Sequence, residues 1–512
     1  MDKKTTTFDI REIGQVKSVR EFIVRAVNMP SCIVGQMVDF SNGARGLVMG
    51  FSENEIQILV LDSKVDIRAG DEVYSKGEPL LLPAGEGFIG RVVDGLAQPV
   101  DDSGPIEPDG LFSVFRDAPG VMHRIPVEKT FETGTTVLDS VIPIAKGQRQ
   151  LLIGDRLTGK TTVAIDAILN QKGKDVICIY CCVGKPYSGF VRVLDLLRER
   201  GAMDYTICVS GAASTSAGEQ YLAPYTACML GEYFMHSGRD VFIVFDDLTK
   251  HAWVYRQISL LLERAPGREA YPGDIFYIHS QLMERAGYLN KEHGGGSMTF
   301  FPIIDILQGD VTGYISSNLV SMTDGQIYFD SALFYKGFKP AIDLGLSVSR
   351  IGSKGQWSGM KDVSKSIRLE YLQYLELLQI TQLHAGTLSK EAEESYRRNQ
   401  IIGTLLVQDK NRPVPVEQQI IYFFAWGKGL LDNLTEEDIG VFKEKIFTFA
   451  QSCIPKTLVR MRGTEEFTED DKIMVDKCVR HYISGGLPGP MEEELEEAKK
   501  ESEGTEEEAP RT

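Results

Sequence analysis

Eight consecutive residues constrain this chain more than any other feature: Gly154, Asp155, Arg156, Leu157, Thr158, Gly159, Lys160 and Thr161. They fit the pattern G-x-x-x-x-G-K-[ST], a loop whose backbone N–H groups curl around phosphate oxygens. The glycines let the main chain approach a ligand closely. The helix that begins at the loop adds the positive end of its dipole. The Lys160 ammonium is long enough to reach the β and γ phosphates, and the Thr161 hydroxyl is an oxygen ligand for Mg2+. Thr162 continues the first helical turn. An apolar run over 151–153 precedes the loop and a helical pattern over 161–170 follows it. That strand–loop–helix setting is the one in which a phosphate loop works. The expected ligands are ATP or ADP with Mg2+, and a glycine-rich surface loop without a ligand is the poorer reading.

Strands and helices alternate around this loop. The runs 176–183, 205–209 and 241–245 are strand-like, and helical patterns cover 190–200 and 220–236. Strands apolar on both faces indicate a parallel sheet covered by helices on each side. The 241–245 run ends in Asp246 and Asp247. An acid at the end of an apolar strand beside a phosphate loop is placed to hold Mg2+. Asp246 with Thr161 is therefore the expected metal pair, and Asp247 is a candidate cap for the helix that follows. Hydrolysis also needs a group that positions the attacking water. Its natural place is the end of the 176–183 run, where Lys185 stands instead of an acid. Glu199 and Glu219 are the nearest acids in sequence and read as surface or turn residues. The chain thus reads as one that binds nucleotide without an evident water-activating group.

The flanks differ in texture. Strand-like runs at 18–27 and 55–61, with turns at 41–43, 69–71 and 76–78, predict a small all-β barrel or sandwich. Beyond residue 358, helical patterns cover 364–384, 417–431 and 438–453, with Leu372, Leu375, Leu378 and Leu383 near helical spacing. The expected organisation is a short N-terminal segment 1–17, a β-barrel 18–83, an α/β P-loop domain 84–358, a helical domain 359–484 and an acidic tail 485–512. From Met491 onward ten glutamates face only Lys499, Lys500 and Arg511. Such a composition cannot bury enough apolar surface to order itself. The formal charge of −17 provides no basic surface for a nucleic-acid backbone, so no nucleic-acid partner is expected. Cys178 and Cys181 form a C-x-x-C inside an apolar run, which predicts core packing rather than redox or zinc chemistry, and a reducing compartment. No leader-like apolar run opens the chain and no 18-residue apolar stretch occurs, so any membrane attachment is expected to come through another chain.

Further segments carry a resemblance. In order they are 90–94 (GRVVD), 118–120 (APG), 139–143 (DSVIP), 147–149 (GQR), the phosphate loop, 220–225 (QYLAPY), 231–234 (GEYF) and 246–250 (DDLTK). They continue with 255–257 (YRQ), 266–274 (PGREAYPGD), 279–280 (HS), 294–297 (GGGS), 323–327 (TDGQI) and 347–352 (SVSRIG). Over residues 14–430 the series resembles the F-type ATP synthase alpha subunit family, and the PGREAYPGD and SVSR signatures resemble alpha rather than the catalytic beta subunit.

The resemblance implies an N-terminal β-barrel, a central RecA-like α/β P-loop domain and a C-terminal α-helical domain. It implies a subunit of a rotary ATP synthase, coupling ATP synthesis or hydrolysis to proton or sodium transport. Alpha subunits of the family alternate with beta subunits in a three-plus-three ring around the gamma central stalk. The ring contacts a peripheral stalk through the delta subunit and reaches the membrane sector indirectly. The implied location is peripheral, on the cytoplasmic face of the bacterial plasma membrane. Alpha sites hold Mg-ATP without turning it over. The beta subunit carries a catalytic glutamate where alpha has glutamine, and Lys185 departs from both. Arg350 matches the family's arginine finger, acting in trans on the neighbouring beta site. Gln408 matches one of two adenine-region glutamines, while Lys410 replaces the other. Leu157 stands where glutamine is usual, Lys339-Pro340 stands where Arg-Pro is usual, and the segment ahead of Gly14 is shorter than the usual stalk-contacting helix. Two alternatives stay open. One is an alpha-like subunit of a divergent rotary pump. The other is an autonomous P-loop ring motor, which would need its own acid or strand-binding loops.

Overall fold

Six antiparallel strands near the N-terminus close on themselves. Around the barrel they run Glu12–Arg20, Ile23–Val27, Glu55–Val60, Arg45–Ser52, Gln36–Phe40 and Glu72–Pro79, and the last pairs back with the first. Closure leaves no free edge. Val24, Val38, Phe40, Val48, Ile58 and Val73 fill the interior. The 18–27 run, expected as one strand, is divided between two. The chain reverses at Glu21, whose φ is 54°, and its two halves pair with each other, Arg20 opposite Ile23.

The computed structural model describes residues 12–61, 66–383, 390–462, 467–489 and 491. The segment up to residue 11 and the acidic run from 492 lie outside the described residues. The chain divides into two units. The first is Met1–Val127 with Lys146–Ala164 and Gln171–Gln326, and the second is Glu128–Ala145 with Ile165–Asn170 and Ile327–Thr512.

Beyond the barrel, the first unit holds a parallel sheet in the order Leu151–Gly154, Ser297–Asp305, Asp240–Asp246, Val176–Val183, Thr206–Gly211, Val92–Asp94. Every residue of Val176–Val183 is buried, Cys178, Cys181 and Cys182 among them. This is the double-faced burial that a continuous apolar run demands. The helices Tyr187–Glu199, Ala217–His236 and Leu248–Leu261 connect and cover these strands. Phosphate loop, acid-terminated strand and Lys185 consequently meet at one edge of the sheet, where the strands end.

In the second unit the strand Ile342–Ser349 leads into a helical domain. Its centre is Val416–Gly427, in which Ile420, Ile421, Phe423, Phe424 and Trp426 are all buried. A helix apolar on every side must be covered on every side. Ser358–Val363, Lys390–Leu406, Glu436–Cys453 and Glu469–Ile483 pack against it. The last two start at capping boxes, Thr435 with Asp438 and Thr468 with Asp471, which satisfy orphan N–H groups at each helix start. The architecture is the expected one: barrel, α/β nucleotide-type sheet, helical domain. Among the described residues no helix is long and apolar enough to cross a membrane.

Candidate functional site

The phosphate loop leaves its strand at Gly154 and enters the helix Lys160–Leu169. Two positive φ values shape it, 65° at Leu157 and 102° at Gly159. A side chain at Gly159 would meet no atom within 4 Å, so it is conformation rather than space that calls for glycine there. Thr158 Oγ1 donates to the Asp155 carbonyl at 2.8 Å, and the Gly309 N–H donates to Asp155 Oδ1 at 3.1 Å, tying the loop to its neighbour. Leu157 projects at 92% exposure, Arg156 is also exposed, and Thr162 is half-buried on the first helical turn.

Lys160 is buried at 5% exposure. Its ammonium donates to the carbonyls of Gly154 at 2.7 Å and Asp155 at 2.6 Å, and pairs with Asp305 Oδ1 at 3.1 Å. Burial pushes its pKa below the usual lysine value, opposed by Asp305, Asp247 and Asp246. Burial pushes the Asp305 carboxyl up, but Lys160, with Lys250 and Lys185 behind it, outweighs this and holds it below the usual carboxylate range. With a 3.1 Å contact and two carbonyl acceptors on the same ammonium, we read the pair as ionised.

The expected metal pair does come together. Thr161 Oγ1 donates to Asp246 Oδ2 at 2.9 Å, and the Tyr180 hydroxyl donates to the same oxygen at 2.9 Å. Asp246 is fully buried. A third group joins them: Lys185 Nζ donates to Thr161 Oγ1 at 3.0 Å and forms an ion pair with Asp246 Oδ1. Burial pushes the Lys185 pKa down, but the Asp246 carboxylate more than offsets it and the net shift is upward. Threonine and carboxylate oxygens are the hard donors that Mg2+ takes. As the side chains are arranged, however, both donors already hold an ammonium, so the set does not fit a divalent ion without moving Lys185.

Asp247 caps the helix Leu248–Leu261, accepting from the Lys250 N–H at 2.8 Å. Burial, partly opposed by Lys250, raises its carboxyl to about 6. Lys250 Nζ sits 3.6 Å from Asp247 and 3.7 Å from Asp305, and lies over the Trp253 ring at 4.4 Å. Arg156 Nε reaches Asp305 at 3.4 Å. Four cations thus face three carboxylates, an excess of positive charge at the N-terminus of a helix. That arrangement binds polyphosphate anions. Each of the three carboxylates is held by a protein cation or a backbone N–H.

Gln408 and Arg350 belong to the second unit. The Gln408 carbonyl accepts from the Thr136 N–H and hydroxyl at 3.0 and 3.1 Å, and its amide donates to the carbonyls of Gly134 at 2.8 Å and Arg412 at 2.9 Å. Its four hydrogen bonds pin the 134–136 turn to the segment after the helix Lys390–Leu406. Arg350 is exposed, one residue beyond the strand Ile342–Ser349, and its guanidinium has no partner among the described residues. The neighbouring Ser349 hydroxyl donates to the Pro143 carbonyl at 3.0 Å, fixing the backbone from which Arg350 projects.

Sequence reasoning missed Asp305, Lys250 and Tyr180. The signal for Asp305 was present: Ser297–Asp305 is an apolar strand ending in an acid, the same pattern that marks Asp246. Three matches to known families cover most of the chain in order. They are the ATP synthase alpha/beta family, beta-barrel domain, over residues 9–77; the ATP synthase alpha/beta family, nucleotide-binding domain, over 134–349; and the ATP synthase alpha/beta chain, C terminal domain, over 356–482.

Proposed function

The chain belongs to the ATP synthase alpha/beta family, and from that premise we propose that it is the alpha-type subunit of a rotary ATP synthase, holding nucleotide without turning it over. Family membership implies a hexameric ring that makes or hydrolyses ATP. The alpha assignment rests on one observation above all. At the end of the strand Val176–Val183, where a catalytic chain needs a carboxylate to orient water, Lys185 points an ammonium at Asp246 and Thr161. An ammonium cannot accept a proton from water. Asp246, Asp247 and Asp305 are each engaged with Lys185, the Lys250 N–H and Lys160 respectively.

In this reading the chain's own residues bind and orient. The loop N–H groups and Lys160 hold the phosphates, Thr161 and Asp246 lie beside them, and Arg350 serves a beta-type neighbour. Thr161 and Asp246 are the residues that would hold Mg2+ if Lys185 moved aside, and the ion would supply charge neutralisation at the phosphates. The proposal extends to a three-plus-three ring with beta subunits around a gamma stalk. It also covers attachment to the cytoplasmic face of the bacterial plasma membrane through other subunits, and coupling to proton or sodium flow. ATP hydrolysis by the purified chain tests the central point. Negligible turnover alone, together with nucleotide binding that Lys160→Ala weakens, is the expected result. Sustained turnover by the chain alone, abolished by Asp246→Asn, would show that a catalytic group is present.

A further inference from the structure

We propose that the Lys185 ammonium is the resident counter-cation of the phosphate site, so that this chain binds ADP and ATP without needing a divalent ion. The inference rests on the nucleotide-binding reading above and departs from it over Mg2+.

The two groups that hold Mg2+ in P-loop sites are the loop threonine or serine and the strand-end aspartate. Here those groups are Thr161 and Asp246, and the atom lying against both is Lys185 Nζ. The buried Asp246 carboxylate already has a cation set against it. One oxygen accepts from Thr161 and Tyr180 at 2.9 Å each, the other faces the ammonium, and the carboxylate is wholly buried. Placing a second, divalent cation there would set it against Lys185 at close range in a site with little water to screen them.

Lys185 reaches this position because its backbone is fixed. Gly184, with φ of 62°, donates its N–H to the Gly211 carbonyl at 2.7 Å, and the Ala213 N–H donates to the Lys185 carbonyl at 2.9 Å. A Cβ at Gly184 would lie 2.6 Å from Lys250 Cβ, so the chain passes close beneath the neighbouring helix and carries the lysine inward. The side chain as a whole is 26% exposed. It has three donors. Thr161 and Asp246 take two, and the third remains for a phosphate oxygen.

The test is equilibrium binding of ADP and ATP to the purified full chain, by calorimetry, in buffer containing Mg2+ and in buffer containing EDTA. For the natural chain the two affinities should agree to within about threefold. In Lys185→Gln, and in Lys185→Met as a second charge-free variant, binding should become Mg2+-dependent, weakening at least about tenfold in EDTA. If neither variant folds, the natural chain decides alone. A loss of about tenfold or more in EDTA for the natural chain overturns the counter-cation role while leaving the nucleotide site standing. Binding in neither buffer overturns the nucleotide reading, and this inference with it.

Discussion

Asp305→Asn should tighten nucleotide binding. In the structure the Lys160 ammonium has all three donors occupied, by the Gly154 and Asp155 carbonyls and by Asp305 Oδ1 at 3.1 Å. An incoming phosphate must displace one of them, and Asp305 is the acceptor whose negative charge also repels it. Asparagine keeps the shape and the backbone N–H bond to Thr249 Oγ1 at 2.9 Å. It removes the charge and turns one of the two acceptor oxygens into an N–H donor. The ion pair becomes a hydrogen bond charged on the lysine side only, and relaxing the restraint is taken as ~1.4 kcal/mol, about tenfold in Kd. Lost repulsion adds to the same side, since two unit charges about 6 Å apart repel by ~3 kcal/mol at an effective dielectric of about 20. The ligand-free protein should lose stability, because Lys160, at 5% exposure, then lacks its anion. Breaking such a buried pair costs about 3 kcal/mol. Nucleotide should therefore raise the melting temperature of Asp305→Asn more than that of the natural chain. Titration with a fluorescent ADP analogue reads the affinity, and Asp305→Glu controls for charge. Unchanged or weaker binding by Asp305→Asn would refute the reasoning and make Asp305 a group that aims Lys160 rather than restrains it.

Two predictions concern the frame around the site. His251 and His279 are buried and neutral, with burial lowering their pKa values to about 4 and about 3. The unfolded chain therefore binds protons that the folded chain does not as pH falls from the ordinary histidine value near 6.5, so stability drops across that window, by about 3 kcal/mol for His251 at about pH 4. Urea midpoints against pH check this, and His251→Gln should flatten the slope; a slope that it leaves unchanged would place the acid sensitivity elsewhere. Arg285 and Glu232 form a two-pronged pair at 2.6 and 2.7 Å, both nearly inaccessible, and Arg285 also donates to the Val114 carbonyl at 2.9 Å. Arg285→Met alone should cost about 3–5 kcal/mol, whereas Arg285→Met with Glu232→Leu should recover most of it. Equal losses in the single and double variants would mean that packing, not the stranded carboxylate, sets the cost.

How much of the molecule is legible in its sequence depends on the range over which each signal acts. Loop spacing, strand patterns and the Asp247 cap depend on neighbours a few residues apart, and the structure bears these out at Lys160–Leu169, Val176–Val183 and Leu248–Leu261. Barrel closure depends on Glu12–Arg20 meeting Glu72–Pro79 across the domain, which no local pattern encodes. Val92–Asp94 is too short to show a period and is made a strand by pairing Val93 with Val209. At Lys185 the sequence shows a missing acid, yet the consequence comes from the direction of a side chain. Only the fixed backbone around Gly184 reveals that the ammonium turns toward Thr161 and Asp246. Gln408 is similar: its position was legible, but its four bonds to Thr136, Gly134 and Arg412 were not.

The most direct test of the central claim is ATP turnover by a ring reconstituted from this chain and a beta-type partner, with Arg350 changed to lysine. The proposed role needs an exposed guanidinium on a fixed backbone, free to meet a neighbour. Arg350 supplies one immediately after Ile342–Ser349, with no partner among the described residues. Lysine keeps the charge but not the planar fork that spreads over phosphoryl oxygens. Assembly and nucleotide binding by this chain should survive, while multisite turnover falls by about 10³ or more, the scale at which arginine fingers act. Normal turnover by the Arg350→Lys ring, or a ring that no longer assembles, would contradict the account.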